Sequence, residues 1–162
     1  MAHPQSRPLI FRLPSSSDIP RLVKIEQQAF APAYYRDHRF TAQNFGDFLK
    51  REKMFFVAVA YKGQVIGNLI GDLPTNRLKR HARLDSIAVA PKWQHRKIGR
   101  RLAARFLAIA RRAGYSAVIL EVAVPNIGAQ KLFRELGFVK QRTLRKYYSG
   151  RIDAIRMIRR LR

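Results

Sequence analysis

The sequence contains no cysteine, so a disulfide framework, a zinc ribbon and a thiol nucleophile are all excluded. It is short of acids: ten Asp and Glu face thirty-three Lys and Arg, a formal net charge of +23. No apolar run approaches the ~20 residues that a membrane-spanning helix needs. The start, MAHPQSRPLIF, has no apolar core of the kind a secretory leader carries. Its four histidines are scattered without metal-ligand spacing, and neither a repeat nor a linker interrupts the chain. These absences imply a cytoplasmic protein without a metal or a membrane partner. With 162 residues, 47% of them hydrophobic, the chain is long enough for one packed core.

The positive charge attracts polyanions and repels cations. Nucleic acid, a ribosome or a phosphate-rich cofactor are suitable partners. The basic residues are densest over Arg77–Arg83, Lys92–Arg105 and Arg142–Arg162.

Residues 1–8 read as a loose tail and 9–162 as one domain. Leu9–Leu13 is a short strand. Ser15 to Asp18 and Pro20 open a helix with an apolar stripe at Ile19, Leu22, Val23, Ile25, Glu26 and Ala29. Ala31–Arg39 reads as a loop. Thr41 caps a second helix carrying Phe45, Phe48 and Leu49. Phe55–Tyr61 and Gln64–Asp72 form a hairpin around Lys62-Gly63. Asn76–Ala82 reads as a basic loop, and Arg83–Ala90 as a strand stopped by Pro91. Ile98–Ala113 is a helix with Ile98, Leu102, Phe106 and Ile109 on one face, ended by Gly114. Tyr115–Val122 is a continuous apolar run, the mark of a central strand. A helix from Asn126 to Leu136 and a last hairpin around Ser149-Gly150 complete an α/β domain with a mixed sheet.

The segment Gln94-His95-Arg96-Lys97-Ile98-Gly99 joins strand to helix. Backbone N–H groups at a helix start bind phosphate, and Gly99 lets a ligand come close. Arg96, Lys97, Arg100 and Arg101 crowd this positive end, where only a strongly negative ligand offsets their repulsion.

SIAVAP followed by Q-x-x-x-x-G resembles the acetyl-coenzyme A site of the GNAT N-acetyltransferases. The family pattern is Gln or Arg, two residues, Gly, one residue, then Gly or Ala. Gln94 and Gly99 match it, and Lys97 stands where the first Gly is expected. LEVAVPNIGAQKLFRELGF resembles the family's later segment through Asn126, Ala129, Leu132, Gly137 and Phe138. LRKYYSGRIDAIRM resembles ribosomal-protein alanine acetyltransferases and relatives that acetylate protein N-termini. The resemblance runs from about Leu9 to Arg160. It implies the GNAT fold, a mostly antiparallel seven-stranded sheet flanked by about four helices, with acetyl-coenzyme A as the only cofactor.

The resemblance also implies roles. Ile87, Ala88 and Val89 would hold the cofactor's pantetheine arm by backbone hydrogen bonds. Gln94, His95, Arg96, Lys97, Ile98, Gly99 and Arg100 would hold its phosphates, with Asn126, Ala129 and Phe133 nearby. Glu121, an acid in the apolar run VILEV, would be the general base, its pKa raised by burial; its competing reading is an ion pair with an arginine. Phe133 replaces the usual tyrosine acid, so water, or Tyr147 or Tyr148 if the last hairpin reaches the cleft, would protonate the leaving thiolate. Tyr34, Tyr35, Asp85, Glu121 and Tyr147 would bind the acceptor. An α-amine, with a pKa near 7.7–8.0, is easier to deprotonate than a lysine near 10.4. The expected activity is therefore acetylation of a protein N-terminus, such as that of a ribosomal protein, with RNA or ribosome contact through the basic surface. The basic field disfavours polyamines. The alternatives are a protein lysine, a small-molecule amine, or a non-catalytic RNA-binding module.

Overall fold

An arginine-rich helix with one apolar stripe must bury that stripe, and the sheet supplies the surface. In the computed structural model this helix is α4 (Ile98–Arg112), which buries Ile98, Leu102, Ala103, Phe106, Leu107 and Ala110. Gly71 makes room for it: a Cβ there would fall 2.4 Å from the Phe106 ring. The structure describes residues 8–51, 54–75 and 81–162. Of the expected loose tail, only residue 8 lies within them.

The sheet has seven strands: β1 (Ile10–Arg12), β2 (Met54–Tyr61), β3 (Gln64–Asp72), β4 (His81–Val89), β5 (Ala117–Ala123), β6 (Val139–Tyr148) and β7 (Ile152–Arg160). Their order is β1-β2-β3-β4-β5-β7-β6. Every pairing is antiparallel except β4 with β5. α4 and α5 (Ile127–Glu135) lie on one face, over a core that includes Leu69, Leu84, Val118, Leu120 and Phe138. α1 (Ile19–Ala29) and α3 (Ala42–Lys50) lie on the other, where Leu22, Ile25 and Phe45 meet Phe56, Ile70 and Ala88. No helix among the described residues is long and apolar enough to cross a membrane.

Two expectations need correction. The first concerns the stretch read as the loop Ala31–Arg39, which holds α2 (Pro32–Tyr35) and a 3-10 turn, Arg36–His38. Pro32 begins α2, the N–H groups of Tyr34 and Tyr35 both donate to the Ala31 carbonyl, and the buried Tyr35 ring anchors the turn. The second concerns the basic loop. His81 and Ala82 belong to β4, paired in parallel with Ala117 and Val118; residues 76–80 lie outside the described residues.

Candidate active site

β4 and β5 pair only over His81–Arg83 and Ala117–Ile119. Beyond that point β4 stays bonded to β3 as far as Val89, while β5 follows β7 as far as Ala123. The two central strands part. The β4 edge facing the gap is open over 84–89, where an extended ligand can add as a strand would. Ile87 lies at this edge, half-buried; Ala88 is fully buried against the α1 and α3 side.

Beyond β4 the chain turns sharply into α4. Gln94 donates to the Val89 carbonyl at 3.0 Å and closes the turn. His95 and Lys97 both have left-handed backbones, φ 60° and 61°. Lys97 thus occupies a conformation glycine would adopt freely, at a cost of about 1–2 kcal/mol. Its side chain does not cap α4, and the first turn holds no acid. The leading N–H groups therefore face outward, as anion binding requires. A Cβ on Gly99 would meet only Leu132 and Ile87, at 3.5 and 3.6 Å. The chain's own packing does not force glycine there; close approach of a ligand would. These features fit a phosphate-tailed thioester with an extended arm. The cations of the loop are already partly engaged. Arg96 lies over the Trp93 ring, Arg101 over Phe11, and Arg100 pairs with Glu135 at 3.3 Å. The last pair is half-exposed and easily exchanged for a phosphate.

Where the strands part, a cavity of about 240 Å³ opens, walled by Glu26, Arg83, Asp85, Ser86, Ile87, Glu121, Asn126, Ala129, Phe133, Tyr35, Tyr147 and Tyr148 among others. Glu121 is its centre of charge. The Glu121 side chain is only 3% exposed. Its Oε1 accepts from Arg156 Nε at 2.7 Å and from Arg83 Nη1 at 3.3 Å. Its Oε2 is ion-paired with Arg83 without hydrogen-bond alignment. The carboxylate is therefore not isolated in an apolar run: two guanidiniums flank it, the ion pairing that was its competing reading. Arg83 also donates through Nε to Asp85 at 2.7 Å and through Nη2 to the Tyr147 hydroxyl at 3.3 Å. Burial raises the Asp85 carboxyl, and Arg83 pulls it back.

The two tyrosines differ. The Tyr147 oxygen accepts from Arg83, which leaves its own proton to give. Tyr148 is buried, and burial with Tyr35, Tyr147 and Glu121 around it pushes its phenol well up. Both reach the cavity because β6 bulges between Leu144 and Tyr148. Lys146 takes φ 51° there and its N–H donates to Asp153. His38 stacks on Tyr147 and meets Tyr148 edge-on.

Asn126 caps α5 by accepting from the Ala129 N–H at 3.1 Å. Its amide donates to the Tyr35 hydroxyl, which also accepts from the Ala123 N–H. Tyr35 is thus a buried pillar whose hydroxyl oxygen accepts two hydrogen bonds. Tyr34 packs beside it, outside the cavity wall. Phe133 is buried edge-on against Phe138 and lines the cavity with an apolar ring.

The structure therefore brings Asp85, Ile87, Glu121, Asn126, Ala129, Phe133, Tyr35, Tyr147 and Tyr148 to one cavity, with His95–Arg100 at the mouth of α4. Sequence reasoning missed Glu26, His38, Arg83 and Arg156. Glu26 carried a signal, an acid on an apolar stripe. Arg156 carried none, because its place beside Glu121 depends on the β5–β7 register.

A sequence profile described as the acetyltransferase (GNAT) family matches residues 19–138. The chain is 28% identical over 97 residues to N-alpha-acetyltransferase MAK3 of Arabidopsis thaliana, covering 60% of this chain and spanning about half (51%) of that protein. It is 30% identical over 145 residues to the ribosomal protein bS18-alanine N-acetyltransferase of Escherichia coli K12, covering 88% of this chain and 90% of that one. The crystal structure of Ard1 from Thermoplasma volcanium superposes with a TM-score of 0.81 at 25% identity, covering 95% of this chain and 98% of that chain.

Proposed function

Since the chain belongs to the acetyltransferase (GNAT) family, we propose that it transfers an acetyl group from acetyl-coenzyme A to the α-amine of a protein N-terminus. The observation that carries this reading is the cleft between β4 and β5, with a clamped carboxylate at its inner end and an uncapped helix start at its mouth. Acetyl-coenzyme A supplies the activated acyl thioester. The open β4 edge over 84–89 would take its arm, and the N–H groups at the start of α4, with Lys97 and Arg100, would take its phosphates.

Glu121 is the catalytic carboxylate that meets the amine. Arg83 and Arg156 fix its orientation, and Oε2, which takes no aligned hydrogen bond, is left to accept from the amine. Tyr147, with its proton free, is the donor to the departing thiolate; the raised phenol of buried Tyr148 suits packing against the acceptor better. Asp85 and Tyr147 border the acceptor path. The relatives, one of them an alanine N-acetyltransferase of ribosomal protein bS18, support a protein N-terminus as the acceptor class. The basic surface would hold the enzyme near RNA-rich acceptors in the cytoplasm.

The test is transfer of labelled acetyl to three peptide sets: free N-terminus, blocked N-terminus with an internal lysine, and both amines blocked. Label is expected on the first set alone. Label confined to lysine, or none at saturating donor, overturns the reading.

A further inference from the structure

The cavity holds a third carboxylate to which the reading above gives no task. Glu26 sits on α1, opposite the α4 layer, and is only 2% exposed. Its Oε1 accepts from the Phe40 N–H at 3.1 Å, and its Oε2 from the Ser86 hydroxyl at 3.4 Å. Ser86 directly precedes Ile87 at the open β4 edge, and Glu26 lines the same cavity as Glu121.

The two glutamates face different surroundings. Glu121 is gripped by two guanidiniums, whereas both hydrogen bonds to Glu26 come from neutral donors. Arg39, on the segment before α3, is the cation that acts on Glu26. The other titratable groups around the cavity are His38 from the turn after α2, Tyr35 from α2, and Arg83 and Asp85 from β4. Glu121 of β5, with Tyr147 and Tyr148 of β6, completes the set. Burial pushes the Glu26 carboxyl up to about 7, while its two hydrogen bonds and Arg39 pull the other way. A proton acceptor works best when its affinity lies near the working pH.

We propose that Glu26 is a second catalytic carboxylate, the base that takes the proton of the acceptor amine while Glu121 holds that amine in place. One ammonium N–H bond breaks, an O–H bond forms on Glu26, and the freed electron pair stays on nitrogen for attack on the acyl carbon. Glu26 then returns the proton to solvent through the cavity mouth. The proposal rests on the acetyl-transfer reading.

The test is the pH profile of kcat between about pH 5.5 and 9, at saturating peptide and acetyl-coenzyme A. The wild-type chain should show an acidic limb centred near 7. Glu26→Gln keeps an acceptor for the Phe40 N–H. It should lose that limb and drop kcat by about 10²–10⁴-fold, with acetyl-coenzyme A affinity unchanged; Glu26→Asp should recover part of the rate. An unchanged limb in Glu26→Gln, or a loss confined to KM, overturns the proposal. A carboxyl-carbon NMR titration of the wild-type chain tests it independently of variant folding. A Glu26 midpoint near 7 is expected; one below about 5.5, close to an ordinary glutamate, overturns it. If the wild-type chain acetylates no peptide, the acetyl-transfer reading fails instead, which the titration keeps distinct.

Discussion

Lys97 carries two burdens at once. Its backbone is left-handed, and its ammonium stands at a helix end that is already positive. Replacement by glycine removes both, so Lys97→Gly should raise stability by about 1 kcal/mol, read from denaturant melts. If the ammonium binds a phosphate, the same variant should hold acetyl-coenzyme A roughly tenfold more weakly, in keeping with a charged hydrogen bond. Calorimetry separates the two effects. A variant that gains stability and keeps its affinity would show that the lysine does not touch the donor. The Gln94–Gly99 segment was legible in the sequence because its residues are contiguous and their geometry is local. The partners of Glu121 were not: Arg83 comes from β4 and Arg156 from β7, brought together only by strand pairing.

At the scale of elements, the first helix is tied to the first strand by charge. Arg12 of β1 grips Asp18 with two hydrogen bonds, at 2.7 and 2.9 Å, and Asp18 accepts from the Ser15 N–H in a capping box. Chiefly through the Arg12 hydrogen bonds, the Asp18 carboxyl is held down at about 2, against 3.8 for an unperturbed aspartate. A lowered folded-state value means that this contribution is complete above about pH 4 and is lost as the pH falls through about 2. Asp18→Asn keeps a capping side chain but loses the ion pair with Arg12; it should cost up to about 1 kcal/mol at neutral pH and flatten the acid side of the melting curve between pH 4 and 2. An acid limb of the same steepness would show that other carboxylates set it. The order of strands and long helices was legible because each has its own period or a continuous apolar run. The four-residue α2 was not, since one turn has no periodicity to read. The parting of β4 from β5 was also hidden, because a strand's sequence does not say where its neighbour leaves it.

The whole molecule is dominated by its net charge of +23. Several of its few acids are committed: Asp18, Asp85, Glu121 and Glu135 to ion pairs, and Glu26 and Asp153 to backbone N–H groups. Arg101 and Arg105 lie side by side over Phe11, a guanidinium rack on the outer face of α4. If the basic surface binds RNA through six to ten phosphate contacts, affinity for a labelled single strand should fall about 10²–10⁴-fold between 50 and 200 mM salt, measured by fluorescence anisotropy. A flat dependence would remove RNA from the partners. The parted sheet has a consequence at the same scale. A seam between two central strands that opens partway along its length is finished by whatever lies in it, so an acyl donor lodged there supplies cohesion as well as chemistry. Without such a ligand the seam would open more readily, and proteases would cut the protein faster than when it is filled.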